Sequence, residues 1–195
     1  MTERPRWPDG YGLRRFASID STNEQGKRVA ATGESGPLWI VAGEQSHGRG
    51  RRGRAWVSES GNLFATLLTR AAGADAAQLS FAAGLAVAET LAAFASTAPI
   101  RLKWPNDVLL NGRKVAGILL ESCANDRVAV GVGINLSSHP EATEYAATSI
   151  AAETGLSPDP DFVLTCLASR MAAWYETWRH DGFAPVRTAW LASAH

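Results

Sequence analysis

The chain has 195 residues, 46% of them hydrophobic, which is enough to close one domain around a continuous core. Its 19 Lys and Arg balance its 19 Asp and Glu, so no global field draws it toward a polyanion or a membrane surface. Cys123 and Cys166, the only cysteines, are too few for a disulfide scaffold or a zinc cluster, and a reducing, cytoplasmic setting is expected. The N-terminus, Met1 to Pro5, carries no apolar core of a signal peptide. The longest apolar stretch, Phe81–Ala95, is interrupted by Gly84 and Glu89-Thr90 and is too short and polar to span a bilayer.

Residues 1–12, with Pro5, Pro8, Gly10 and Gly12, read as a loose lead-in. Leu13–Ile19 reads as a first strand. Ser21-Thr22-Asn23-Glu24 has the form of a helix start, with Ser21 or Thr22 as N-cap and Glu24 in the first turn, and the helix extends to Ala31. Its N-terminus offers backbone N–H groups and small hydroxyls to a polar ligand group, though ordinary caps look the same. Pro37–Ala42 is a short apolar run, read as a buried strand. Leu63–Thr69 is another, after a turn at Ser60-Gly61-Asn62. Ala74–Ser96 reads as one helix, with Leu79, Ala82, Ala83 and Ala86 on the helical period. In Ile100–Trp104, strand alternation puts Arg101 and Lys103 on one face and Leu102 and Trp104 on the other. Val108–Leu110, Asn111-Gly112 and Lys114–Glu121 form a hairpin pattern, because a type I′ turn needs positive φ at both central residues. Arg127–Leu136 is a further strand, and consecutive strands joined by short turns make an antiparallel meander. Asp161–His180 is a long helix stopped at Gly182, and Phe183–Ala192 a short last one. The expected fold class is α+β: one mixed, largely antiparallel sheet with helices packed on it.

Two constellations carry chemistry. Gly48-Arg49-Gly50-Arg51-Arg52-Gly53-Arg54 alternates glycines, which allow positive φ and close approach, with planar guanidinium forks that match carboxylate and phosphate. In a chain of zero net charge, this local positive field fits a small anion with several oxygens. Most charge runs are solvated surface loops, but such a loop has no need of three close-approach points. Gly48, Gly50 and Gly53 formally match the dinucleotide fingerprint; that fingerprint must open a helix inside a parallel βαβ unit, and neither is read here. There is no Walker A motif and no Gly-x-Ser-x-Gly elbow. The histidines are scattered, which argues against a metal cluster, and Cys123 and Cys166, in apolar segments, read as core thiols.

The second constellation is Lys103-Trp104-Pro105-Asn106-Asp107 followed by Gly112-Arg113-Lys114-Val115-Ala116-Gly117. A carboxylate near lysines suggests metal–phosphate chemistry, with Asp107 toward Mg²⁺, Lys114 toward developing negative charge and Gly117 allowing backbone approach. Taken singly, Asp107 is equally a turn residue and Lys114 an exposed strand residue.

Taken together, Ser21-Thr22-Asn23, Gln45 with Gly48–Arg54 and Trp56, Lys103–Asp107, Gly112–Leu119 and Gly131–Asn135 resemble the catalytic domain of biotin protein ligases, in order and spacing, from Leu13 to Ala192. The resemblance implies the class II synthetase-like biotin/lipoate ligase fold. It implies a ligase using ATP and Mg²⁺: biotin becomes biotinyl-5′-AMP, then passes to a lysine of the biotin carboxyl carrier domain of acetyl-CoA carboxylase or a similar carboxylase. For biotin, the implied contacts are Ser21, Thr22, Asn23, Gln45, Arg49, Gly50, Arg51, Lys114 and Gly117. For ATP and the adenylate they are Arg51, Arg52, Arg54, Trp56, Asn106, Asp107, Lys114 and Asn135. Trp56 would stack on adenine and Asn135 hydrogen-bond it. Lys114, Arg51 and Asp107 are the implied catalytic residues, with Asp107 also the Mg²⁺ candidate.

Many relatives carry an N-terminal winged helix and a C-terminal barrel. With residues 1–12 as lead-in and 13–195 as catalytic domain, both are expected to be absent. No operator DNA and no membrane is then expected as a partner, and the protein would be a monomer or homodimer. A biotin- or adenylate-binding module with little turnover, and a lipoate-type ligase, are the alternative readings.

Overall fold

The computed structural model describes residues 5–34, 36–71, 73–141, 143 and 145–195. Its strands are β1 (Gly12–Ile19), β2 (Leu38–Gln45), β3 (Leu63–Arg70), β4 (Ile100–Lys103), β5 (Asp107–Leu110), β6 (Arg113–Cys123) and β7 (Arg127–Ile134). They form one sheet in the order β1-β2-β3-β7-β6-β5-β4. The helices are α1 (Thr22–Ala31), α2 (Leu79–Ala92), α3 (Ile150–Thr154), α4 (Pro160–Asp181) and α5 (Phe183–Ala192).

The sequence of β7 explains why the two faces of this sheet differ. Side chains alternate across a strand. Val128, Val130, Val132 and Ile134 point into the main core, against the layer of α2, α4 and α5. Ala129, Gly131 and Gly133 fall on the opposite face, which α1 covers. There Gly26 brings α1 close: a Cβ on it would lie 3.5 Å from Ala129 Cβ and 3.6 Å from Thr66 Cγ2. The bulky face makes a core of Leu, Val and Ala packed at organic-solid density. The small face leaves a hollow beyond the end of α1.

The meander β4–β7 forms as the spacing predicts. Asn111 (φ 51°) and Gly112 (φ 76°) both take the left-handed region, as the Asn-Gly hairpin requires. Five expectations need correction. First, β1 pairs with β2 in parallel, so β1–α1–β2 is a βαβ unit that ends just before the Gly/Arg loop; the sequence of β1 has a mixed pattern that does not reveal its partner. Second, the helix read as Ala74–Ser96 is shorter. A 3-10 turn, Gly73–Gln78, precedes α2, and the Gln78 side chain is spent on Asp75 and Trp178. Third, Trp104 does not share the face of Leu102. The strand ends at Lys103 and the chain turns through Pro105, leaving Leu102 buried and Trp104 70% exposed. Fourth, β7 stops at Ile134: Asn135 N still bonds Val115 O of β6, but its O accepts from Ile150 N and its side chain donates to Thr148 O, which turns the chain out of the sheet. Fifth, α3 was not read from the sequence; its signals are the Ser149 cap and the left-handed Gly155. Within the lead-in, Trp7 and Tyr11 pack against the main core. Cys166 is buried and Cys123 is half-buried.

Asn62, read only as a turn residue, holds the end of β7. Its Oδ1 accepts from Leu136 N (2.8 Å), Ser137 N (3.0 Å) and Ser138 N (3.2 Å). Of these, Leu136 is fully buried. Asn62→Ala should therefore cost about 1–3 kcal/mol, the price of one buried unsatisfied N–H. Urea denaturation is the check, and a midpoint unchanged within error would contradict this role.

Candidate active site

A cavity of about 440 Å³ opens on the small-residue face of the sheet, within the range of small-molecule sites. Every site residue singled out from the sequence lines it: the first residues of α1, Gln45, the Gly/Arg loop, Trp56, the 106–107 turn, Lys114, Gly117 and Asn135. The site is built from the start of α1, the end of β2, the Gly/Arg loop, the 103–107 turn, strands β6 and β7, and described residues of the 140–147 segment.

The inner end is polar and tightly bonded. Ser21 caps α1 by accepting from Glu24 N. Thr22 N donates to Gln45 Oε1 at 2.8 Å, with Thr22 Oγ1 3.1 Å from the same oxygen, and Gln45 Nε2 donates to Ser58 Oγ at 3.0 Å. Asn23 Nδ2 donates to Leu119 O (3.2 Å) and Glu121 Oε2 (2.8 Å). Asn23 fits because Gly131 has no side chain: a Cβ there would collide with its amide.

The Gly/Arg loop folds back on itself. Gly50 N donates to Arg54 O (2.7 Å) and Trp56 N to Gly48 O (2.9 Å), around a 3-10 turn at Arg51–Gly53. Its glycines serve different needs. Gly48 permits close approach, since a Cβ would lie 2.5 Å from Trp56 O. Gly53 takes φ 72° with open space around it, and Gly50 is extended at φ −108°, where a Cβ would meet Arg54 O at an ordinary 3.6 Å. Arg52 adopts the left-handed region itself, at φ 57°, a conformation uncommon outside glycine and asparagine. Arg49 pairs with Glu24 and lies 3.5 Å from Glu121. Arg51 Nη1 is 3.5 Å from Asn106 Oδ1, a long contact that keeps the fork available.

Trp56 lies across the strands. A Cβ at Gly133 would be 2.5 Å from its Cε2, and one at Gly117 2.8 Å from its Cζ3. Its Nε1 is buried with no hydrogen-bond partner among the described residues. Lys114 Nζ sits 5.4 Å from the Trp56 ring centroid and 2.7 Å from Asp107 Oδ1. That second approach is one of charge rather than a well-directed hydrogen bond, for Asp107 Oδ1 has no geometrically good donor among the described residues. The backbone of Lys114 is clamped from the far side: its N donates to Ala146 O (2.8 Å) and its O accepts from Thr148 N (2.9 Å). The same segment brings Tyr145 to the rim, where Lys103 Nζ stands 4.2 Å from its ring centroid. Among the described residues no group of three or more His, Cys, Asp and Glu is placed to hold a metal.

Sequence reading missed Ser58, Thr66, Glu121 and Tyr145. Each bonds or flanks the predicted residues rather than resembling a motif, so only the alternation of β3 and β6, which puts Thr66 and Glu121 on the α1 face, hinted at those two.

The profile of the biotin/lipoate A/B protein ligase family matches residues 15–137. The chain belongs to this family. It is 48% identical over 191 residues to the biotin–[acetyl-CoA-carboxylase] ligase of Paracoccus denitrificans, covering 92% of this chain and 79% of that one. With the bifunctional ligase/repressor BirA of Escherichia coli (strain K12) it shares 32% identity over 191 residues, covering 93% of this chain but only 59% of BirA. Among solved structures, the biotin protein ligase from Aquifex aeolicus in complex with biotin and ATP superposes with a TM-score of 0.83 at 31% identity, over 94% of this chain and 78% of that one. The sheet with α1 on its small-residue face is thus the fold of this ligase family, as the resemblance implied.

The charged cluster beside the ligase cavity gives a pH dependence. The Lys27 hydrogen bond holds the Glu24 carboxyl below its ordinary range, burial opposes this, and Arg49 adds to it. Burial pulls Lys27 down, but Glu121 and Glu24 more than offset that and leave it raised. A depressed carboxylate pKa means that its stabilisation is complete above the ordinary value of 4.5 and is lost as pH falls through the lower folded value. Amides 48–54 should therefore keep their hydrogen-exchange protection at neutral pH and lose it on the acid side of pH 4.5. Glu24→Gln should abolish that acid step. Loop protection that persists until global acid unfolding would contradict the assignment.

Proposed function

We propose that the chain is an ATP-dependent biotin protein ligase, which makes biotinyl-5′-AMP and transfers the biotinyl group to a lysine of a carboxylase's biotin carrier domain. The observation that carries this is one cavity with a neutral hydrogen-bonding inner end and a cationic mouth. Biotin has the same polarity, a neutral ureido ring and a carboxylate tail. The 48% identity to a biotin–[acetyl-CoA-carboxylase] ligase favours biotin over lipoate and a working enzyme over a silent binding module.

In this reading the ureido ring lies against Ser21, Thr22, Asn23 and Gln45, whose partners fix their donors and acceptors before the ligand arrives. The carboxylate tail points along Gly117 toward Lys114 and the loop. Arg49 and Gly50 form the loop's near side. A carboxylate oxygen attacks the α-phosphorus of ATP, the bond to the β-phosphate oxygen breaks, and pyrophosphate leaves. Two anions must meet for this, and Lys114 with Arg51, Arg52 and Arg54 neutralises their repulsion and the charge that grows on the phosphorus oxygens. Lys114 would exchange its Asp107 partner for phosphate. Trp56 and Asn135 face the adenine. The carrier lysine Nζ then attacks the acyl carbon, losing a proton as the amide forms and AMP leaves.

Mg²⁺ would come with the nucleotide. Such ions are commonly held by substrate phosphates and one or two carboxylates, and Asp107, half-buried beside Lys114 with a buried Oδ1 lacking a good donor, fits that role. It would screen the phosphate charge. No described helix is long and apolar enough to cross a membrane, and a cytoplasmic enzyme meeting its carrier there is the accompanying proposal.

Lys114→Ala tests the reading. Loss of one preorganised charge contact with a transition state costs about 3–4 kcal/mol, on the order of 10²–10³ in kcat. Pyrophosphate exchange should fall by that factor while biotin affinity, read by calorimetry, falls much less. A variant that adenylates biotin at the parental rate refutes the role of Lys114.

A further inference from the structure

The geometry points to Thr66 as a positioning residue that couples the biotin pocket to the Gly/Arg loop, an inference that rests on the ligase reading above. Thr66 lies in the middle of β3, is fully buried and belongs neither to the cavity lining nor to any motif. Its Oγ1 donates to Asn23 Oδ1 at 2.6 Å and also lies 2.8 Å from Thr22 Oγ1. It thus stands under two of the four side chains assigned to the ureido ring, Thr22 and Asn23.

From Thr66 the bonds run outward in two directions, and both end in the same loop. One path goes through Thr22, whose hydroxyl proton turns to Thr66 Oγ1 while its N donates to Gln45 Oε1, then from Gln45 Nε2 to Ser58 Oγ, and from Ser58 Oγ to Trp56 O at 3.1 Å. The other goes through Asn23 Nδ2 to Glu121 Oε2, and from the Glu121 carboxylate to Arg49 Nη2 at 3.5 Å. Arg49 and Trp56 flank the turn of the Gly/Arg loop, and Trp56 N is itself bonded to Gly48 O. The pocket floor and the loop therefore close a ring of hydrogen bonds, with Thr66 as its deepest member.

The hydroxyl matters for a definite reason. With Thr66 donating to Oδ1, the Asn23 amide can turn only its Nδ2 toward Glu121 and Leu119 O, so one proton sets which face the amide shows. Gly131 and Gly26 lie against this contact: a Cβ at Gly131 would fall 2.3 Å from Asn23 Oδ1, and one at Gly26 3.6 Å from Thr66 Cγ2. Removing the hydroxyl leaves buried acceptors unpaired, a cost felt most where the ligand needs these groups fixed. Ligand contact at Thr22 or Asn23 is then transmitted to Arg49 and Trp56 through bonds already made, and the loop closes over a filled pocket.

The test compares the parent with Thr66→Val, Thr66→Ser and Ser58→Ala, each first shown to unfold cooperatively. Steady-state pyrophosphate exchange supplies KM for biotin and kcat, and hydrogen exchange reads amides 48–54 with and without biotin. Thr66→Val should raise the biotin KM about tenfold, the size of one lost buried hydrogen bond, with kcat near the parental value, and should uncouple loop protection from biotin. Thr66→Ser, which keeps the hydroxyl, should restore both. Ser58→Ala cuts the ring outside the core and should move both readouts in the same direction, even if Thr66→Val fails to fold. Parental KM and loop protection in Thr66→Val or in Ser58→Ala overturn the inference, as does a Thr66→Ser variant as impaired as Thr66→Val. A parent that makes no biotinyl-adenylate overturns the ligase reading first and this inference with it.

Discussion

The structure depends on the two unequal faces of β7. Val128, Val130, Val132 and Ile134 anchor the sheet to the helical layer, while Gly131 and Gly133 remove side chains from the other face, where Asn23 and Trp56 press against the backbone. A strand can do this because its side-chain period is two. One sequence pattern therefore makes the core and the hollow. Had β7 carried ordinary side chains on both faces, α1 could still cover the sheet, but Asn23 and Trp56 would have nowhere to go.

That hollow sets the electrostatic problem of the site. A chain with no net charge gathers four arginines and Lys114 at one mouth. The free protein holds them in part by carboxylates of its own: Glu24 and Glu121 for Arg49, Asp107 for Lys114. These pairs are partly exposed and contribute little to stability in themselves. Their value is positional, since they keep cations at the mouth that would otherwise scatter.

The polar end is organised differently. Thr22, Asn23, Gln45, Ser58 and Thr66 satisfy one another before any ligand is present. A buried polar network is costly when half-satisfied and specific when complete. The β1–α1–β2 crossover delivers Thr22 and Gln45 to the same point, because parallel strands bring the start of the connecting helix and the end of the second strand to one edge of the sheet.

Much of this protein was legible in the amino-acid order. The α1 cap, the Asn-Gly hairpin, the β4–β7 meander and the two long helical stretches follow from local rules of dihedral angle, capping and period. The Gly/Arg loop and the Lys103–Asp107 segment were likewise legible as candidates for one site, and both line the cavity, because guanidinium chemistry and glycine freedom belong to residues, not to folds. What the order left open was everything decided by partners distant in sequence. The parallel pairing of β1 with β2, the outward turn of Trp104, the bonding of Arg49 to Glu24 and Glu121, and the place of Thr66 beneath the pocket each depend on which surfaces meet. Thr66 in particular has no local signature: a threonine in an apolar strand looks like any other. Only when the sheet closes and α1 lies across it does that hydroxyl face two side chains forty residues away in the chain, since a hydrogen bond between distant segments is fixed by their packing and not by their composition.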